Sequence, residues 1–534
     1  MSIFNGVGEM DRFINREPEL RLIEDAIGDL LNTDTFLRTP IIDFFGIDGI
    51  GKTSILKKIV QTCDKHRIRY IWADASKNVP AFFYEIIDQA QQYSEVLPRS
   101  DESNLQHQSV AVTQELLKKG PLVILLDAVD ATNEARLVPI EEMLNALVIN
   151  NKLFVVLTSS RSVSFEHERD VARKLSTFPL LPLDRDSSEE YLESLGLPTD
   201  PELRNIVFEW THGYPLAMDV MVQAIREQGI DPRNQEEREK LLGIITQRVI
   251  DQRILARVEP TELQWFQRVL RLLSVPRRFN LLTMQSLIEQ FAHDLKLANS
   301  LAYIVLPNRI SQSTDVLSWN LAKGGFAIDS PIRNMFLLQL KIGHLEDYYK
   351  INRFLAEINQ SNAKEVSGPD RIRYQREYLY HMANSGDEKQ LARILTETVQ
   401  QIIKDAEEAP ELLIQFREEF IQDTELKELL GKDANLVLSL TNKHLAQKMY
   451  RTALQEEDEE KRIRYYRDFF DYTIHDPVIN DLPSLLEEYV DQLIAQERPA
   501  VLHKLYENLA QDDTFRKVPG KDFAFFFARL LDNV

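Results

Sequence analysis

The chain has 534 residues, 63 Lys plus Arg against 84 Asp plus Glu, a formal net charge of −21 and a single cysteine, Cys63. At about 100 to 200 residues per domain this length implies several domains, and the acid excess disfavours a protein whose main task is gripping nucleic acid or an anionic membrane. One cysteine allows no intramolecular disulfide and no cysteine-based zinc site, no apolar run approaches the ~20 residues of a membrane span, and the start of the chain lacks the apolar core of a signal peptide, so a soluble cytoplasmic protein is expected.

Apolar residues at helical spacing predict a helix over 18–31, and the apolar run 41–45 predicts a buried strand. The alternation continues with helices at 53–63, 81–92, 105–119 and 140–147 and strands at 70–73, 122–126 and 153–158. Strands that are apolar throughout, alternating with helices, imply an α/β domain over 1–183 with a parallel sheet covered by helices on both faces. Helices at 187–195, 201–211 and 215–227 read as a helical lid domain over 184–258. In 259–345, helices at 261–273, 281–291 and 294–301 precede a hairpin, 316–320 and 326–329, joined through Lys323-Gly324-Gly325, and a last helix at 331–340 follows; that is the order of a winged-helix domain. The remainder, 346–534, reads as an all-α, helical-repeat-like sensor or scaffold region. Its acidic run 456–460 is expected to be solvated. Its dense aromatics, Tyr465, Tyr466, Phe469, Phe470 and Tyr472, and Phe523, Phe525, Phe526 and Phe527, are read as packing between neighbouring helices or as a partner-binding groove.

Glycine is scarce, with 18 in the whole chain, which sets off the cluster Gly46-Ile47-Asp48-Gly49-Ile50-Gly51-Lys52-Thr53. It matches GxxxxGK[ST] between a predicted strand and a predicted helix, the context a P-loop requires. The glycines let successive N–H groups face phosphate oxygens, Lys52 would reach the β- and γ-phosphates, and Thr53 would hold Mg²⁺. The strand 122–126 ends in Asp127, placed to support the Mg²⁺ shell, with a helix-capping Asp as the alternative. The next residue is Ala128 rather than a second acid, so hydrolysis is expected to be slow unless Asp130 or another group orients water. Arg161, after the strand 153–158, is expected either to sense a γ-phosphate or to make a solvent ion pair.

These residues resemble the STAND class of signalling P-loop ATPases, which includes NB-ARC and NACHT proteins and bacterial MalT-type regulators. The resemblance covers roughly residues 10–340. Phe13-Ile14-Asn15-Arg16-Glu17 looks like the segment that contacts adenine, with Asn15 where Gly is usual. Asp127-Ala128-Val129-Asp130 is similar to the NACHT form, Ser159-Ser160-Arg161 to the sensor strand, and His212-Gly213-Tyr214-Pro215-Leu216-Ala217 to the GxP motif, whose proline packs near the base. Asp329 stands where the class often has a His that contacts the ADP phosphate, and a carboxylate there would repel phosphate. The resemblance implies ATP or ADP with Mg²⁺ as cofactors, Thr53 and Asp127 as metal residues, and Lys52, Asp127, Asp130 and Arg161 as the catalytic set. It implies nucleotide contacts from Phe13, Ile14, Arg16, Gly46, Asp48, Gly49, Ile50, Gly51, Lys52, Thr53, Ser54 and Pro215.

Together these readings point to a nucleotide-dependent switch with slow ATPase activity, taking a protein partner or ligand on its C-terminal helical region, with nucleotide-dependent homo-oligomers as a further expectation. Nucleotide-bound scaffolding without turnover is the alternative. A DNA-associated AAA-type ATPase is a third reading, opposed by the net charge and by the GxP motif, and a DNA role for the winged-helix segment is opposed by its few basic groups, Arg268, Arg271, Arg277 and Arg278.

Overall fold

A computed structural model describes residues 16–32, 36–93, 104–131, 133–148, 151–320, 324–407, 409–474, 491–495, 497 and 499–511. The chain divides into two compact units, Met1–Leu345 and Glu346–Val534.

The first unit opens with α1 (Glu17–Leu31), in which Pro18 sits in the first turn and Ile23, Ala26, Ile27 and Leu30 form the buried stripe. There follow β1 (Ile41–Phe45), α2 (Lys52–His66), β2 (Arg69–Asp74), α3 (Val79–Gln91), α4 (Leu105–Lys118), β3 (Leu122–Val129), α5 (Glu134–Leu147), β4 (Leu153–Ser159), α6 (Arg169–Lys174) and β5 (Leu175–Pro179). The five strands form one parallel sheet in the order β2-β3-β4-β1-β5. Alternation along each strand sends Ile124, Leu126, Val155 and Leu157 to one face, where they pack with Phe82, Phe83, Leu116 and Leu144 of α3, α4 and α5. Val123, Leu125, Phe154 and Val156 are buried on the other face, where α1 meets β4 and α2 meets β2, β3 and β4. Each such buried side chain contributes about 1.5–3 kcal/mol, so the strand ends that carry the polar loops rest on a rigid platform.

The fifth strand was not expected from sequence. β5 is half-exposed along most of its length, carries Ser176 and Thr177 and ends in Pro179, as an edge strand can. It pairs with β1 and extends the sheet on the side away from β4. A second difference lies at 294–301, where one 3₁₀ turn, His293–Leu295, replaces the expected helix. The next helix starts only at Ser300, where the Asn299 side chain accepts from the Ala302 N–H at 3.0 Å and caps it.

After the sheet come α7 (Arg185–Ser194), α8 (Pro201–Thr211), α9 (Pro215–Gln228) and α10 (Gln235–Ile245), the last continuing into a π-helical stretch, Thr246–Ile254. Then α11 (Leu263–Leu273), α12 (Leu281–Phe291) and α13 (Ser300–Thr314) precede the antiparallel hairpin β6 (Leu317–Asn320) and β7 (Gly325–Ile328), and α14 (Ser330–Gly343) closes the unit. Lys323 of the expected hairpin joint lies outside the described residues.

The second unit is helical throughout its described residues: α15 (Leu345–Glu365), α16 (Gly368–Ala383), α17 (Glu388–Asp405), α18 (Pro410–Gln422), α19 (Thr424–Leu430), α20 (Asp433–Gln455), α21 (Glu459–Ile474) and a helix at Pro499–Gln511. Tyr466, Phe469 and Phe470 lie in its core, with the Phe469 ring 5.3 Å from Tyr450, so these aromatics pack between helices. Phe523, Phe525, Phe526 and Phe527 lie outside the described residues. The acidic run straddles the exposed joint between α20 and α21.

Candidate functional site

The loop between β1 and α2 carries Gly49 at φ +78° and Gly51 at φ +107°, backbone angles that favour glycine. Gly51 is the N-cap of α2 and no side chain caps that helix, so its N-terminal N–H groups face the loop. The Lys52 ammonium folds back over the loop and donates to the carbonyls of Gly46 at 2.7 Å and Ile47 at 2.9 Å. Burial pulls its pKa below the ordinary lysine value, and the charges of Asp48, Asp127, Asp315 and Asp43 oppose that pull. At the first turn of α2, Thr53 and Ser54 are exposed. Thr53 Oγ1 donates to Asp127 Oδ2 at 3.1 Å, which joins the loop to the end of β3.

Asp127 is fixed from a second side by Thr158 of β4, whose hydroxyl donates to Asp127 Oδ1 at 2.5 Å and accepts from the Ala128 N–H at 3.0 Å. Ala128 itself is exposed and left-handed at φ +58°, at the place where β3 and β4 lose register between Leu126 and Val129. The position after Asp127 is therefore a bulge that presents backbone and a methyl group. Asp130 follows just beyond, half-buried, with its carbonyl accepting from Asn133 N–H at 3.2 Å.

Beneath the loop lies Asp43, a fully buried carboxylate in the middle of β1. It accepts from Ser159 Oγ at 2.7 Å and from the Val163 N–H at 2.8 Å, and burial pushes its pKa up to about 6. It thereby ties β1 to the chain leaving β4. A single acid inside the apolar run 41–45 was the available signal for it.

The residues matched to the GxP motif sit on the same loop. The Tyr214 hydroxyl donates to the carbonyl of Asp48, and burial pushes its pKa up, so it remains a donor. Pro215 opens α9, and Leu216 beside it leaves no room on the loop: a Cβ at Gly49 would lie 2.5 Å from Leu216 Cβ. Arg16 is buried and donates to the carbonyls of Ile50 at 2.9 Å and Leu181 at 2.7 Å, so it clasps the far side of the loop with its backbone. Phe13 and Ile14 lie outside the described residues.

Arg161 reaches the last turn of α13 and the segment that follows it. It donates to the carbonyls of Ser311 at 2.9 Å and Leu317 at 3.3 Å, and its Nε lies 3.6 Å from Asp315. Asp315, left-handed at φ +55°, also takes Arg257 at 2.7 Å. Asp329, at the N-cap of α14, shares the field of Arg161 and Asp315, and burial pushes its pKa up to about 7. Asp315 was not singled out from sequence, because its place beside Arg161 arises only when the β4 end and the α13–β6 turn meet. Of the basic residues considered for DNA, Arg268 pairs with Asp294 and Arg271 donates to Gln339 at 3.2 Å.

A parallel sheet with a glycine-rich loop after β1, Lys and Thr opening the next helix, and an Asp bonded to that Thr from a neighbouring strand end defines a P-loop nucleotide-binding fold. The donor set suits a polyphosphate with Mg²⁺: curled backbone, an ammonium, and a hydroxyl beside a carboxylate. No family model matches the chain, and no curated protein matches it. Among solved structures, the chain is similar to a Signal Transduction ATPase with Numerous Domains protein with a tetratricopeptide repeat sensor from Pyrococcus horikoshii, at 12% identity and a TM-score of 0.31, over 98% of this chain and 77% of that one. It is also similar to AMPPCP-bound DnaA from Aquifex aeolicus, at 18% identity and a TM-score of 0.32, over 58% of this chain and 94% of that one. The Thermotoga maritima RuvB Holliday junction branch migration motor is similar at 12% identity and a TM-score of 0.34, over 60% of this chain and 95% of that one. No helix among the described residues is long and apolar enough to cross a membrane.

Proposed function

We propose that this chain is a STAND-type switch that binds ATP or ADP with Mg²⁺ at the β1–α2 loop, turns ATP over slowly and signals through domain rearrangement. The observation that carries the reading is the bond from Thr53 to Asp127 at the mouth of a loop over which the lysine is already folded back. Lys52 and the α2 N-terminus would hold phosphates, Thr53 and Asp127 would hold the metal, and Pro215 with the segment around Arg16 would border the base. A bound ATP–Mg²⁺ supplies a γ-phosphate, the group that distinguishes the two nucleotide states. Ala128 offers no acid for water activation, which supports slow turnover, with Asp130 the nearest acid beyond the bulge.

In this reading the first unit works as a nucleotide domain (1–183), a helical lid (184–258) and a winged-helix domain (259–345), and the helical region 346–534 receives the signal from a protein or ligand. The engagement of Arg268 and Arg271 inside the molecule supports protein rather than nucleic-acid partners for the winged-helix segment, and nucleotide-dependent self-association fits a switch of this kind.

The test is nucleotide affinity by calorimetry. Lys52→Ala is expected to abolish tight ADP and ATP binding, and wild-type affinity in that variant would refute the assignment. A second reading, a scaffold with nucleotide permanently bound, is favoured by the closure of Tyr214 and Leu216 over the loop. Purified protein that carries ADP and never exchanges it would support the scaffold; exchange with measurable turnover supports the switch.

A further inference from the structure

The second unit contains a cleft of about 340 Å³ between α15, α16 and α17, near the lower end of the roughly 300–1,000 Å³ that ligand sites occupy. Its lining differs from the apolar walls usual in such sites. Ala363 and Ile394 are the buried apolar contributors. The amide of Gln375, 6% exposed, is set by its bond to Asp405 Oδ2 at 3.3 Å. Gln360 and Gln401 add amides, and Tyr378 and Thr398 add hydroxyls, so donors and acceptors from all three helices converge on one space.

The charges around the cleft do not cancel. Arg371 lines it but lies 3.0 Å from Asp405, and Glu397 lines it but lies 3.7 Å from Arg393. Lys364 has no acid within ion-pair distance among the described residues. A chain of net charge −21 thus keeps one uncompensated cation at the rim of a polar, metabolite-sized cleft.

We propose that this cleft binds a small anionic polyol, a hexose-sized molecule carrying one phosphate or carboxylate group. Lys364 meets the anionic group as a point charge, while the amides and hydroxyls exchange hydrogen bonds with the ligand hydroxyls. An apolar ligand of the same size would strip water from these amides without replacing its bonds. The site does not depend on the nucleotide reading of the first unit.

The test is calorimetric titration of the full chain with glucose 6-phosphate, gluconate and uncharged glucose, in wild type, Lys364→Glu and Lys52→Ala. Lys364 is exposed, so its replacement leaves the fold intact, which circular dichroism checks. At least one of the two anions is expected to bind wild type, to bind equally in Lys52→Ala, and to weaken tenfold or more in Lys364→Glu. Which anion binds decides between phosphate and carboxylate. The proposal is overturned if neither binds, if glucose binds as well as the anions, if Lys364→Glu leaves affinity unchanged, or if Lys52→Ala removes it, which would place the anion on the P-loop.

Discussion

Asp43 and Asp329 both lose water contact to burial, Asp43 completely and Asp329 in part. Asp43 is satisfied by two donors, whereas Asp329 has no side-chain capping bond to α14 and relies on the field of Arg161, which Asp315 opposes. Burial sets the Asp329 pKa at about 7 in the fold, against about 3.9 in an unfolded chain. Between those values the folded chain keeps a proton that the unfolded chain has lost, so this group's contribution makes stability fall as pH rises from about 4 to about 7. Asp329→Asn removes that penalty. Urea midpoints should show the variant gaining on wild type more at about pH 8 than at about pH 4, and a pH-independent difference would refute the assignment. Lys52, Thr53 and Asp127 were legible in sequence because a P-loop is local in the chain and its partner acid ends an apolar strand. Asp315 and the Thr158 bond to Asp127 were not, since spacing within one segment says nothing about which strand ends and turns meet.

At the scale of elements, periodicity located most of the helices and the four buried strands, and missed α6, α13, with Pro307 in its interior, and the elements where burial is partial. β5 shows no apolar run because only part of it faces the core, and α10 with its π-helical continuation lies in a charged stretch where the helical stripe is thin. The turn between α8 and α9 was visible as a motif, yet the reason for its glycine is tertiary. Gly213 has φ +72°, its carbonyl accepts from Leu183 N–H at 2.9 Å, and a Cβ there would lie 1.8 Å from the Leu183 carbonyl oxygen. Gly229, which closes α9 at φ +66°, has nothing within 4 Å of where a Cβ would lie. Gly229→Ala should therefore cost only the left-handed conformation, about 1–2 kcal/mol. Gly213→Ala must also part the two backbones, at about 1–3 kcal/mol more, and should loosen α9 from the nucleotide loop. Thermal unfolding of both variants checks the ranking; equal losses would mean that the contact with Leu183 does not hold this turn.

At the scale of the first unit, one guanidinium links the sheet to the segment between α13 and β6. Arg161 leaves the end of β4 and is held by one carboxylate and two carbonyls, while Asp315 is held in turn by Arg257. Asp315 is also close enough to raise the Lys52 pKa, so the charge of this turn is felt at the P-loop. Negative charge added at the loop would repel Asp315 and attract Arg161, and a ligand that favours one arrangement shifts the population by its differential affinity alone. On the switch reading, ATP with Mg²⁺ should therefore speed hydrogen exchange of the 311–317 amides while protecting the P-loop, and ADP should do so less. Asp315→Asn should raise exchange in 311–317 without nucleotide and shrink the further effect of ATP; each ~1.4 kcal/mol of coupling corresponds to a tenfold change. Protection at the P-loop with unchanged exchange at 311–317 in the wild type would show that nucleotide binding stops at the sheet edge, and the scaffold reading would then be favoured.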